Sequence, residues 1–102
     1  MSFQNIPVQK FKELMDDENT VVLDVRTPEE EVEGMVPGAV VINIMDASFP
    51  TKVDELDKDK TYLVYCRSGG RSATACKHMS STGFDKLYNL EGGIKAWNKV
   101  SE

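Results

Sequence analysis

The chain holds two cysteines, one histidine and one tryptophan among 102 residues. Two cysteines are too few for a disulfide scaffold, and the Cys66…Cys76 spacing fits no usual zinc pattern. A single histidine, His78, supplies no metal cluster, so no metal and no cofactor is expected. No apolar run approaches the roughly 20 residues of a membrane span, so no membrane partner is expected. The opening Met1-Ser2-Phe3-Gln4-Asn5 has no basic region followed by an apolar stretch, so no secretory signal is expected. A reducing cytoplasm is the default compartment and suits a working thiol. Positive charge is also scarce: the net charge is −5, which argues against nucleic acid as a partner. There is no linker, internal repeat or low-complexity segment. The length fits one domain over 1–102, with a core large enough to need no covalent staples.

What is present alternates between two patterns. Phe3 to Val8 reads as a short extended segment, and Val8, Phe11, Leu14 and Met15 recur at helical spacing. Val21-Val22-Leu23-Asp24-Val25 is apolar except for Asp24, as in a strand buried on both faces. Thr27-Pro28-Glu29-Glu30-Glu31 reads as a helix start, with Thr as cap, Pro first and acids in the first turn. Pro37-Gly38 is a turn, and Ala39 to Ile44 reads as another buried strand. Pro50 to Leu56 suggests a short helix, Thr61 to Tyr65 a strand, and Ser72 to Ser81 a helix that Gly83 ends. Phe84 to Asn89 holds a short strand, and Gly92-Gly93 leads into a last helix with Ile94 and Trp97. Strands alternating with helices predict an α/β fold, a parallel sheet with helices on both faces. Ligands gather at the C-terminal ends of such strands, where Cys66 and Asp24-Val25-Arg26 both fall.

The chemistry concentrates in Tyr65-Cys66-Arg67-Ser68-Gly69-Gly70-Arg71-Ser72. A thiol ends a buried strand and faces the N-terminus of the next helix. Free N–H groups and the positive helix end favour an anion there. Arg67 and Arg71 bring two full charges to an acidic protein, and together these features lower a cysteine's pKa. Gly69 and Gly70 permit positive φ and close approach, so successive amides can form a nest around an anionic sulfur. Of the two arginines, Arg71 at the helix start is the better placed to dock an anionic donor, with Arg67 pointing outward. Ser72 reads first as a cap or first-turn residue.

The remaining candidates have plainer readings. Asp24 and Arg26 lie two apart on a strand and face the same side, as a structural ion pair that could anchor the Cys66 loop from behind. Cys76 lies about two helical turns below Cys66, too far for a disulfide, and reads as a packed small residue. His78 reads as a surface or half-buried residue, Trp97 and Phe84 as core, and Glu29-Glu30-Glu31 as a solvated first turn.

Five segments together resemble the rhodanese family of sulfurtransferases in its small single-domain form. They are Asp24-Val25-Arg26-Thr27-Pro28-Glu29-Glu30, Gly34-Met35-Val36-Pro37-Gly38-Ala39, Tyr65 to Ser72, Gly83-Phe84, and Tyr88-Asn89-Leu90-Glu91-Gly92-Gly93-Ile94 with Trp97. Two departures stand out: Met35 replaces a frequent His, and no proline follows Asn43-Ile44. The resemblance implies a three-layer fold around a mainly parallel five-stranded sheet. It implies that Cys66 takes a sulfane sulfur from a small anionic donor such as thiosulfate, becomes a persulfide, and passes the sulfur to cyanide, a thiol or a sulfur-carrier acceptor. Arg67, Ser68, Gly69, Gly70 and Arg71 would wrap the sulfur, with Ser72 closing the loop. Two other readings stay open at this point. One is a cysteine-dependent phosphatase or arsenate reductase, although four residues rather than five separate Cys66 from Arg71. The other is a non-catalytic binding module on the same fold.

Overall fold

The computed structural model describes residues 3–101; Met1, Ser2 and Glu102, and with them part of the expected signal-free N-terminus, lie outside the described residues. Five strands form one sheet: β1 (Gln4–Ile6), β2 (Thr20–Asp24), β3 (Val40–Val41), β4 (Thr61–Tyr65) and β5 (Leu87–Leu90). Their order is β1-β5-β4-β2-β3, and every pairing is parallel. Four α-helices, α1 (Val8–Met15), α2 (Phe49–Asp54), α3 (Gly70–Ser81) and α4 (Gly93–Ser101), connect or flank the strands, with a 3₁₀ helix at Pro28–Glu33. No helix among the described residues is long and apolar enough to cross a membrane.

The period of two along the strands divides the core. Tyr62, Val64 and Cys66 face one side of β4 and pack with Phe49 and Val53 of α2 and with Ala75, Cys76 and Met79 of α3. Leu63 and Tyr65 face the other and pack with Val8 and Phe11 of α1 and with Ile94 and Trp97 of α4. Trp97 meets Phe11 edge-on at 6.2 Å, and Phe84 meets Tyr62 at 5.3 Å. β4 is covered on both faces, so Tyr62 to Cys66 are all buried. At about 1.5–3 kcal/mol per large apolar side chain, this strand fixes the loop that follows it.

One strand differs from the expectation. Ala39 to Ile44 is not a continuous buried strand: only Val40 and Val41 form regular strand, against Leu23 and Asp24, although the Ile42 and Ile44 N–H groups still donate to the Asp24 and Val25 carbonyls at 2.9 and 3.0 Å. β3 is the sheet's edge, and Val40 is 44% exposed. Beyond it, the Asn43 side chain accepts the Met45 N–H at 2.9 Å and turns the chain away. Asx turns of this kind compete with strand pairing.

Candidate active site

Cys66 follows the last residue of β4 and is 1% exposed. The start of α4 grips the peptides beside it. The Ile94 N–H donates to the Cys66 carbonyl at 2.9 Å, and the Lys95 N–H donates to the Arg67 carbonyl at 3.3 Å. With those carbonyls turned toward α4, the chain curls so that the Gly69 N–H donates to Cys66 Sγ at 3.1 Å. The Ser72 hydroxyl lies 3.4 Å from the same sulfur. Gly69 adopts φ +109°, in the left-handed region, where only glycine sits without strain.

Burial pushes the Cys66 thiol up, but the opposing contacts outweigh it. The Ser72 hydroxyl and the amides of Ser72, Gly69 and Ser68 hold the thiol below its ordinary value. The Ser72 amide belongs to the open first turn of α3, whose N–H groups have no partner within the helix, and the Ser68 and Gly69 amides come from the loop that leads into it. The arrangement is a nest around one sulfur.

The two glycines do different jobs. Gly70 needs neither positive φ nor space: a Cβ there meets nothing within 4 Å. It is an ordinary first-turn helical residue, which corrects the expectation that it supplies positive φ and close approach as Gly69 does. The close approach falls instead on Gly93, at φ +61°, where a Cβ would overlap the backbone of Arg67 and Cys66. The sequence carried this requirement only as a paired glycine before a helix.

The arginines are not free charges over the thiol. Arg67 pairs with Glu33 at 3.1 Å and is 55% exposed. Arg71 Nη1 and Nη2 donate to the two carboxylate oxygens of Glu30 at 2.7 and 2.8 Å. Arg71 remains near enough to Cys66 for the thiolate to add to its upward shift, after the larger effect of Glu30. Glu30 is therefore not part of a solvated turn. Its carboxylate also accepts the Thr27 N–H at 3.2 Å and hydroxyl at 3.1 Å. The Arg71 guanidinium, against a smaller opposing effect of burial, brings Glu30 down to about 2.

Asp24 and Arg26 form a buried pair at 2.8 Å. Arg26 also donates to the carbonyls of Glu30 at 3.1 Å and Gly34 at 2.8 Å. The Tyr65 hydroxyl donates to Asp24 at 2.8 Å and accepts the Val36 N–H at 3.1 Å. No hydrogen bond links this pair to Cys66; it anchors the 3₁₀ segment, which carries Glu30 to Arg71.

Asn89 is a further buried member that the residue-by-residue reading missed. It accepts the Ser72 hydroxyl and donates to the Gly69 carbonyl at 3.2 Å and to Asn5 Oδ1 at 2.8 Å. A polar residue interrupting a short apolar strand was its only sequence signal. Cys76 is buried and raised to about 12, first by desolvation and then by the charge of Cys66. His78 is half-buried, its ring 6.0 Å from that of Phe49. Among the described residues, no three His, Cys, Asp or Glu side chains gather as a metal site.

Comparison with known proteins bears on this geometry. The rhodanese-like domain model matches residues 7–100. A Bacillus subtilis protein carrying a provisional sulfurtransferase name, YtwF, is 45% identical over 98 residues, spanning 95% of this chain and 92% of its own. The thiosulfate sulfurtransferase GlpE of Pseudoalteromonas translucida is 29% identical over 97 residues, spanning 95% and 90%. The crystal structure of a rhodanese-related protein from Thermoplasma volcanium superposes with a TM-score of 0.83 at 32% identity, covering 95% of this chain and 92% of that one.

Proposed function

The chain belongs to the rhodanese-like domain family, and from that premise we propose that it is a sulfurtransferase working through a persulfide on Cys66, as one domain over 1–102 in a reducing compartment. The observation that carries this reading is the nest: the Gly69 N–H lies 3.1 Å from Sγ, with the Ser68 and Ser72 amides also favouring the anion. Such a ring of N–H groups stabilises a thiolate before transfer and an anionic persulfide after it.

In the first half-reaction the Cys66 thiolate attacks the outer sulfur of thiosulfate. The new Cys66 S–S bond forms as the donor's S–S bond breaks, and sulfite leaves with the electron pair. In the second, cyanide or an acceptor thiolate attacks the terminal sulfur, and Cys66 departs as the thiolate it was. Arg71 meets the donor's anionic end through the N–H groups that Glu30 does not use. Arg67, outermost, screens the approach. Ser72 supplies an amide and a hydroxyl to the sulfur, Gly70 opens the helix that carries it, and Asp24 with Arg26 fixes the segment behind them.

Intact-mass spectrometry tests this reading. Thiosulfate treatment is expected to add one sulfur atom at Cys66 and none at Cys76, and cyanide to remove it as thiocyanate. Cys66→Ala should abolish both. No cyanide-labile sulfur, together with Cys66-dependent hydrolysis of an aryl phosphate, would overturn it in favour of phosphatase chemistry.

A further inference from the structure

The two arginine–carboxylate pairs at the loop are unequal. Arg67 and Glu33 are 55% and 39% exposed and meet through a single contact. Pairs of this kind contribute about 0–1 kcal/mol and part readily. Arg71 and Glu30 are 31% and 18% exposed and meet through two parallel contacts, the bidentate geometry that makes such pairs strong. Glu30 is also tied to Thr27, and its backbone is held by Arg26 through the Glu30 and Gly34 carbonyls. The carboxylate is thus built into the scaffold and cannot swing aside as a surface side chain does.

This pairing has a consequence for the donor. The nest amides serve the Cys66 sulfur, so a donor must look to a side chain for positive charge, and Arg71 lies close enough to interact with the charge of Cys66. A carboxylate cancels most of the Arg71 charge before any donor arrives. A dianion approaching the thiolate then meets repulsion that the largely cancelled Arg71 charge offsets only weakly. A monoanion meets half as much, because Coulomb energy scales with the donor's charge.

We propose that Glu30 is a positioning residue that sets donor specificity: by occupying Arg71 it turns the site away from dianionic donors and toward those with one negative charge or none, such as organic thiosulfonates and hydropersulfides. The inference rests on sulfur transfer through Cys66. With methanethiosulfonate, the Cys66 thiolate takes the outer sulfur, the donor's S–S bond breaks, and methanesulfinate leaves with the electron pair. With a neutral hydropersulfide, the same attack releases a thiolate. Total charge is conserved in each case.

The test compares thiosulfate with methanethiosulfonate, which has a methyl group in place of one anionic oxygen, using cyanide as acceptor at low ionic strength. Glu30→Gln keeps the side-chain length and removes the charge. Its kcat/KM is expected to rise about tenfold for thiosulfate and about threefold for methanethiosulfonate, the exponent following donor charge, mainly through KM. In the wild-type protein, added salt should raise kcat/KM for thiosulfate by screening like-charge repulsion, a measurement that does not depend on the variant folding. A fall for thiosulfate in Glu30→Gln, equal changes for both donors, or inhibition of the wild type by salt would overturn the inference while sulfur still loads on Cys66. No sulfur on Cys66 from either donor would overturn the sulfur-transfer reading itself, and this inference with it.

Discussion

Cys66 and Cys76 are both free, both buried, and both packed into the core on the same side of the sheet. Burial pushes both thiols up. Cys76 stays there, at about 12, while Cys66 ends below its ordinary value. The difference lies in where each residue stands relative to α3. Cys76 is inside the helix, where amide groups are committed to carbonyls one turn back. Cys66 precedes the helix, and the amides of the entering loop and of the open first turn converge on Sγ. The first helical bond of that turn runs from the Ala73 N–H to the Gly69 carbonyl at 3.1 Å, which leaves the Ser72 amide for the sulfur. One helix therefore raises the thiol inside it and lowers the thiol at its start, from the same residue type.

Alkylation gives the largest expected separation. At pH 8 a thiol with a value near 12 is ionised at about one part in ten thousand. Iodoacetamide should label Cys66 at least about a thousandfold faster than Cys76, and one label per native molecule is the expected stoichiometry. Two labels at similar rates would break the contrast. Stability against pH should separate the thiols as well. The raised Cys76 contributes stability that is full below the unfolded thiol value and is lost as pH climbs toward 12. Cys76→Ala should flatten that alkaline loss by at most about 4 kcal/mol. The lowered Cys66 acts oppositely: its contribution is present above the unfolded value and is lost as pH falls through the folded one.

A second way to break the comparison is to move the loop while keeping every polar side chain. Gly93→Ala places a methyl group on the backbone of Cys66 and Arg67 and forces an alanine to φ +61°. About 2–4 kcal/mol of stability should be lost. The amides should also lose their aim, so that Cys66 titrates upward toward Cys76. Gly70→Ala is the control. With open space and no positive φ at that position, it should fold with equal or slightly greater stability, by about 0.4–1 kcal/mol. Thermal melts with alkylation against pH read both variants.

These glycines also show what the sequence made legible. Local features were readable: alternating strands and helices, the parallel sheet, and a cysteine between a buried strand and a helix start. Features that depend on residues brought together from afar were not. Glu30 looked like one of three solvated acids, because its partner Arg71 stands 41 positions later. Gly93 looked like a helix leader, because the backbone it admits belongs to residues 66 and 67. Gly69 and Gly70 looked alike until the chain curled at one and not the other. The apolar run from Ala39 looked like an inner strand, because nothing in it announces that no further strand lies beyond. Such a reading treats each residue against its neighbours in the chain, whereas the site is made by contacts between segments.

The smallest effect tests the last of these contacts. Ser72 has one hydroxyl proton and three acceptors within reach: Cys66 Sγ at 3.4 Å, the Gly69 carbonyl at 3.2 Å, and Asn89 Oδ1. The Asn89 amide cannot turn over freely, because its Nδ2 is held by the Gly69 carbonyl and Asn5. Oδ1 therefore faces Ser72 and competes with the sulfur for the proton. A contested hydrogen bond is worth less than a dedicated one, which contributes about 1 kcal/mol net. Ser72→Ala should accordingly raise the Cys66 midpoint by only about half a unit, since the Ser72 amide stays in place. Asn89→Ala removes this competitor and should lower the midpoint by a similar amount, while costing stability through the lost Nδ2 contacts to the Gly69 carbonyl and Asn5. Two hydrogen-bonded neighbours are thus expected to move one thiol in opposite directions. Alkylation against pH on both variants decides it, and shifts of the same sign would show that Asn89 supports the Ser72 contact instead of competing for it.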